Sequence, residues 1–261
     1  MINLELHQLK MLNAQLAEGT IGLDCPDIEG SGAWDVMAGY IKDMSPEHIW
    51  SLTHITEKRA LSWLAERLAK DSLVVEVGSF MGCSAAIMAH ANPGIQIKSI
   101  DLFDTLDDSV RNDMQIYYAS QYKDRVDSFL GEDCRRTRDN VAQRLAHYTN
   151  IEFIQGQSPD EFTDTGLDNI DVYFEDANHH NPGLASNLNF WLPRVKPGGL
   201  VVLHDYRPWL PERYVVKIHD SIQRFPDVEG HVRQLMGQGW TMQGRVRGMV
   251  FLTKPSSNPS V

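Results

Sequence analysis

The sequence predicts an α/β protein built on a mostly parallel sheet with an antiparallel C-terminal edge. From residue 57 onward, short apolar runs of strand length alternate with stretches of helical periodicity, the pattern of strands joined by right-handed crossovers and covered on both faces. The first of these runs, "LVVEV" (73–77), leads through a glycine-punctuated turn directly into a helical pattern (82–91). The last two patterned segments, "HVRQLMG" (231–237) and "RGMVFLTK" (247–254), are separated by a Gly-rich turn region, which reads as a hairpin closing the sheet.

The elements follow in order. Residues 1–55 read as short helices broken by "CPDIEGSG" and "DMSPEH", forming an N-terminal helical cap. "EKRALSWLAERLA" (57–69) carries an apolar face at helical spacing, with Thr56 as its N-cap. The predicted strands are 73–77, 95–101 ("IQIKSID"), 151–156 ("IEFIQG"), 170–176 ("IDVYFED") and 199–206 ("GLVVLHDY"), with helical patterns between them. A crossover needs about a dozen residues, so the longer segment 103–148 is expected to hold inserted helices. The main domain spans 56–254, and the tail 255–261 is expected to be disordered.

The chain has 261 residues, 42% of them hydrophobic, which suffices for a sizeable core. Its formal net charge of -11 argues against binding phosphate backbones, an interaction driven by Lys and Arg. No run is long and apolar enough to span a bilayer, and the N-terminus lacks the basic start and apolar block of a signal peptide. Cys25, Cys83 and Cys134 show no paired spacing, which favours free thiols in a reducing compartment. A cytoplasmic protein is expected, acting on a small molecule and not on nucleic acid or membrane.

The stretch "VVEVGSFMGCSAAIMAHA" (74–91) has the strand–loop–helix layout of a nucleotide-cofactor site. Its glycines, Gly78 and Gly82, have three residues between them, and Phe80 occupies the position of the middle glycine in the dinucleotide pattern. A nicotinamide dinucleotide is therefore disfavoured. Glu76 just before the loop would repel a pyrophosphate and suits a cofactor carrying positive charge, as S-adenosylmethionine does with its ammonium and sulfonium. Asp101, ending the second strand, stands where a carboxylate can accept hydrogen bonds from both ribose hydroxyls.

At these residues the chain resembles the class I S-adenosylmethionine-dependent methyltransferases. "VVEVGSFMGCSA" is similar to their first motif, "SIDLFD" to their ribose-binding strand end, "GQSPDEF" (156–162) to the segment bordering the adenine, and "LPRVKPGGLVVLHDY" (192–206) to the turn entering strand five. The resemblance covers roughly residues 57–254 and rests on the order of the motifs. It implies a Rossmann-like fold with a seven-stranded sheet, S-adenosylmethionine as cofactor, and cofactor contacts from Glu76, Gly78, Ser79, Gly82, Ser84, Asp101, Gln157 and Ser158. A homo-oligomer is implied by the same architecture.

A second constellation joins "EDANHH" (175–180) to "LHDY" (203–206), both just past the carboxyl ends of parallel strands, where such sheets bind ligands. Asp176, His179, His180, His204 and Asp205 converge on this reading, a combination suited to a divalent cation. Here the chain resembles the metal-dependent small-molecule O-methyltransferases, of catechol and macrocin type, and the cephalosporin-hydroxylase-like proteins. That resemblance implies metal ligation, magnesium in the family pattern, by Asp176, His204 and Asp205. Imidazole at 204 departs from the usual oxygen donor, so magnesium, a transition metal and no metal all stay open. His179 falls where the catechol-type pattern has a lysine base, implying proton abstraction from an acceptor hydroxyl by His179 beside Asp176.

The expected reaction is methyl transfer to a hydroxyl of a small oxygenated molecule, a sugar, phenol or secondary metabolite. A cephalosporin-hydroxylase-like enzyme, an N-methyltransferase and a non-catalytic cofactor-binding protein are the alternatives. Tyr117, Tyr118, Tyr122, Arg135, Arg136 and Arg138, with the Trp209-bearing loop, are candidates for lining the acceptor pocket.

Overall fold

A computed structural model describes residues 55–103, 137–163, 166–206, 216–218, 221–223, 227–246 and 248–256. The elements in chain order are α1 (Ile55–Arg67), β1 (Leu73–Val77), α2 (Cys83–Ala91), β2 (Gln96–Asp101), α3 (Arg138–Arg144), β3 (Ile151–Gln155), β4 (Ile170–Glu175), α4 (Gly183–Trp191), β5 (Val195–Leu203), β6 (Val216–Ile218), β7 (Ser221–Gln223), α5 (Val228–Gly237), β8 (Thr241–Val246) and β9 (Met249–Thr253). Seven strands form one sheet in the order β3-β2-β1-β4-β5-β9-β8, and β6 pairs with β7 as a separate hairpin. Strands β1 to β5 run parallel. β9 returns antiparallel to both β5 and β8. The Rossmann-like, mostly parallel seven-stranded sheet with an antiparallel edge is thus the observed architecture.

The order reverses between β1 and β4. The chain leaves β1 outward to β2 and β3, then crosses back to lay β4 on the other side of β1. The loops at the carboxyl ends of β1 and β4 diverge there and leave a crevice, the position where open α/β sheets take ligands.

Alternation along the strands divides the core into two layers. Val74, Ile97, Val172, Val202 and Phe251 face α1 and α2, burying Leu61, Leu64, Ile87 and Met88. Their strand neighbours Val75, Ile100, Tyr173, Val201 and Leu252 face the opposite way, against Leu188 and Trp191 of α4 and Val232 and Leu235 of α5. Each strand residue changes face with the two-residue period of the pleat, so runs such as "LVVEV" and "GLVVL" are apolar throughout because both faces are covered.

Three expectations are corrected. "HVRQLMG" (231–237) lies in α5, not in a strand; Val228, Val232 and Leu235 are its buried residues, at helical spacing. The hairpin partner of β9 is β8, which starts four residues after that helix ends. Helix α1 already contains Ile55 and Thr56, so Thr56 is not its cap. Between β3 and β4 the described residues make turns and no helix.

The proposed N-terminal cap, most of the 103–148 insertion, Tyr117, Tyr118, Tyr122, Arg135, Arg136, Trp209, Cys25, Cys134 and most of the C-terminal tail lie outside the described residues. Within that insertion α3 is a helix, capped by the Thr137 side chain, which accepts from the Asn140 backbone N–H at 3.2 Å. Arg138 pairs with Asp139 at an exposed position. Cys83 is buried and in no disulfide among the described residues. No helix among the described residues is long and apolar enough to cross a membrane.

Candidate active site

The glycine loop between β1 and α2 is shaped by backbone demands. Gly78 has φ +103°, and a Cβ there would lie 2.5 Å from the carbonyl carbon and oxygen of Asp176. Gly82 has φ +75°, and a Cβ there would meet Leu145 Cδ1 at 2.7 Å and Phe153 Cζ at 2.9 Å. Neither position tolerates a side chain. Between them, Phe80 also adopts a left-handed conformation, φ 50°, so the absent middle glycine of the dinucleotide pattern leaves the tight turn intact. The hydroxyl of Ser79 is buried and without a partner among the described residues.

Glu76 is fully buried beneath this loop. Both its oxygens are engaged, Oε1 by the Ser84 hydroxyl and Oε2 by that of Ser99. Burial pushes its carboxyl up to about 7; the two serine hydrogen bonds offset part of this, and the Asp176 and Asp101 carboxylates add to it. Ser84 therefore faces Glu76, as a support for it. Ser99, on the neighbouring strand, was not singled out by the sequence.

Asp101 sits at the end of β2 and braces the loop. Its Oδ2 accepts from Phe80 N–H and its Oδ1 from Phe103 N–H, each at 2.7 Å. These bonds place the carboxylate at the crevice beside the glycine turn.

Gln157 and Ser158 follow β3. Gln157 is exposed and reaches Asp160 at 3.4 Å. The Ser158 hydroxyl donates to Asn187 Oδ1 and accepts from Trp191 Nε1, both at 2.9 Å. Asn187 in turn donates to Glu175 Oε1 at 3.1 Å. That same oxygen accepts from the backbone N–H groups of Ala177 and Asn178, at 3.2 and 3.0 Å. Glu175 Oε2 takes the Tyr173 hydroxyl. Burial raises the Glu175 carboxyl, with these hydrogen bonds working against it. One buried carboxylate thus organises the loop carrying Asp176 and His179 and is tied, through Asn187, to Ser158.

The second constellation assembles beside the loop. Asp176 N–H donates to Val77 O at 2.8 Å, continuing the β1–β4 pairing to the crevice. Asp176 Oδ1 lies 2.9 Å from His204 Nδ1 and 3.4 Å from His179 Nε2. His179 Nδ1 lies 3.3 Å from Asp205 Oδ2. His204 Nε2 lies 3.5 Å from Glu57 Oε2. His180 stands outside this set of contacts. The 2.9 Å approach of His204 to Asp176 is short, yet it lacks the alignment of a hydrogen bond, and the buried nitrogens His179 Nε2, His204 Nδ1 and His204 Nε2 have no hydrogen-bond partner among the described residues. Electrostatically the pair is complementary. Desolvation works to lower His204, but Asp176 and Glu57 outweigh it and hold His204 well above the usual imidazole range. Burial works to raise Asp176, but the two imidazoles outweigh it and lower the carboxyl.

Glu57 is the residue the sequence reading missed. It projects from α1, is 4% exposed, and its Oε1 accepts from Gly248 N–H at 3.0 Å. Gly248, in the β8–β9 turn, also accepts from Tyr206 N–H at 2.7 Å. A signal existed: Glu57 lies on the same helical stripe as Leu61 and Leu64, so it is an acid on a buried face. Asp205 is held with φ +59°, a strained conformation that turns its carboxylate toward His179.

These features, a glycine loop at the switch point with an acid and imidazole cluster beside it, agree with comparisons to known proteins. The family described as "Methyltransferase domain" matches residues 75–206, about half of the chain. The chain belongs to this methyltransferase-domain family, with the class I fold. Among curated relatives, a tRNA (guanine-N(7)-)-methyltransferase of Corynebacterium glutamicum is 29% identical over 163 residues, 58% of this chain and 52% of the relative. The chain thus spans about half the length of that relative. The uncharacterized protein R132 of Acanthamoeba polyphaga mimivirus is 26% identical over 182 residues, 67% of this chain and 69% of the relative. Among solved structures, one described as a candidate caffeoyl-CoA O-methyltransferase from Staphylococcus aureus has a TM-score of 0.52 at 14% identity, covering 96% of this chain and 100% of that one. At that identity the likeness concerns the fold.

Proposed function

We propose that this protein transfers a methyl group from S-adenosylmethionine to a hydroxyl of a small oxygenated molecule. The observation that carries the reading is the packing of Gly78 on the Asp176–Ala177 backbone. It sets the cofactor loop against the acid and imidazole cluster, so a methyl donor on the loop lies next to that cluster. Support for the cofactor comes from the buried Glu76 carboxyl on the ammonium side, from Asp101 at the ribose position, and from the unpartnered Ser79 hydroxyl in the loop.

Methyl transfer is an in-line displacement for which the cofactor carries the activation. The chain must align the acceptor oxygen behind the methyl group, exclude water and remove the hydroxyl proton. Two ways of removing that proton are built from the same atoms. In one, His179, set between Asp176 and Asp205, accepts it as an imidazole base. In the other, the cluster binds a divalent cation, which supplies Lewis acidity to a coordinated hydroxyl. Magnesium fits poorly, because it prefers oxygen donors and two of the three converging groups, His179 and His204, are imidazoles.

The relative named for tRNA guanine N7 methylation raises nucleic acid as a second acceptor class. The net charge of -11 weighs against it. The test is calorimetric titration with S-adenosylmethionine and S-adenosylhomocysteine, with NAD as control, followed by an acceptor screen that includes phenols, sugars and tRNA. Binding of the two sulfur compounds and not NAD is expected, with methylated product from a small hydroxyl acceptor. Absence of binding would overturn the methyltransferase reading; methylated tRNA alone would replace the acceptor.

A further inference from the structure

The two imidazoles of the cluster share one arrangement. His204 has Nδ1 toward Asp176 and Nε2 toward Glu57. His179 has Nε2 toward Asp176 and Nδ1 toward Asp205. Each ring thus presents one nitrogen to Asp176 and the other to a second carboxylate, and the Asp205 carboxylate, through its other oxygen, also lies 3.7 Å from His204 Nδ1. Metal-binding histidines are held in this way, since the outer carboxylate fixes the tautomer and ring orientation and raises the basicity of the ligating nitrogen.

The inner atoms fit the same reading. One donor atom each from Asp176, His179 and His204 lie within 4.8 Å of one another. Asp176 Oδ1 is 2.9 Å from His204 Nδ1 and 3.4 Å from His179 Nε2. Two ligands each about 2.1 Å from a tetrahedral or octahedral ion stand about 3.0–3.4 Å apart. Both inner nitrogens are buried without an aligned hydrogen-bond partner among the described residues, as is His204 Nε2 on the Glu57 side, so they are free to take a ligand.

We propose that Asp176 Oδ1, His179 Nε2 and His204 Nδ1 bind a divalent transition metal of the zinc, manganese and iron class, with Asp205 and Glu57 as the outer carboxylates that position the two imidazoles. This rests on reading the cluster as the acceptor end of the proposed methyltransferase site. It changes the ligand set expected from the sequence: His179 enters it, Asp205 moves behind His179, and magnesium gives way to a metal that accepts nitrogen donors. His179 is then a ligand and not the base. Glu57 becomes a positioning residue, linking α1 and the Gly248 turn to the site.

The test loads the chelator-treated full chain with Co2+ as a spectroscopic probe, with Zn2+ competition and with Mg2+ as control. One Co2+ per chain is expected, with visible bands of mixed nitrogen and oxygen coordination, displaced by Zn2+ and not by millimolar Mg2+. His179→Ala and His204→Ala should each abolish the bands. Asp205→Asn and Glu57→Gln should retain one site and weaken it by about 10–100-fold; Glu57→Gln keeps an acceptor for Gly248 N–H and so preserves the fold. Bands unchanged in both histidine variants, or displacement by Mg2+, would overturn the proposal. So would wild-type affinity in both Glu57→Gln and Asp205→Asn, for the outer carboxylates. S-adenosylmethionine titration of the same samples separates the two readings: cofactor binding without a Co2+ site overturns the metal alone, and a Co2+ site without cofactor binding overturns methyl transfer alone.

Discussion

Gly78 packs directly on the backbone of Asp176, so close that a methyl group at residue 78 would stand 2.5 Å from the Asp176 carbonyl. The crevice at the switch point is therefore a contact between the glycine loop and the residue heading the second cluster. With φ +103° at this position, Gly78→Ala combines backbone strain with a clash against main-chain atoms that cannot rotate away. A loss of about 3 kcal/mol or more in stability is expected, with S-adenosylmethionine binding lost in whatever folded fraction remains. Urea denaturation and calorimetry of the variant check both.

Glu76 makes stability depend on pH. The fold raises its pKa from 4.5 to about 7, so the folded chain holds this proton more tightly than the unfolded one. Its stabilising contribution is fully present below the unfolded value and is lost as pH rises through about 7, a span of about 3 kcal/mol. Glu76→Gln removes the titration. The difference in urea midpoint between variant and wild type should change between about pH 5 and pH 8; a constant difference would show that Glu76 does not titrate there.

The same linkage reaches the cofactor. A bound ammonium group near Glu76 favours its ionised form, so S-adenosylmethionine affinity should rise between about pH 6 and pH 8 in the wild type and stay flatter in Glu76→Gln. Calorimetric titrations across this range read the difference.

Asp101 holds two backbone N–H groups of the crevice at 2.7 Å. Asp101→Ala removes the carboxylate acceptor from both donors and loosens the Phe80 turn. Hydrogen bonds to a charged group are worth about 1.5–3 kcal/mol, so cofactor affinity should fall by about 10-fold or more, while thermal stability drops modestly.

Asn187 is fully buried and links Ser158 to Glu175. Asn187→Leu takes one hydrogen bond from each partner, one of them a buried carboxylate that keeps its backbone N–H and Tyr173 donors, and should cost about 1–3 kcal/mol. Chemical denaturation measures it, and a variant as stable as wild type would deny the network its role.

Much of the scaffold was legible because its signals are local. "LVVEVGSFMG" carries a strand, a turn and a helix start within ten residues, and "IDVYFED" and "GLVVLHDY" end where a parallel strand exposes its last side chains. "HVRQLMG" was misread because Val232 and Leu235, three apart, support a helical face as readily as the end of a short strand, and the nearby Gly237 and Gly239 suggest a turn in either case. Glu57 was missed because its partners, His204 and Gly248, lie far along the chain.

The sequence by itself determined the alternation of strands and helices, the glycine turn, the acids at the ends of β1 and β2, and the two acid and imidazole motifs. Each of these depends on hydrophobic period or on backbone freedom within a few residues. Only the tertiary structure decided that Ser84 and Ser99 serve Glu76, that Ser158 is bound into a network through Asn187, and that Glu57 meets His204 while Asp205 meets His179. The physical reason is that these partners meet across strands and helices. Which atoms of a polar side chain face each other is set by sheet order, strand register and helix docking, and none of these is written in neighbouring residues.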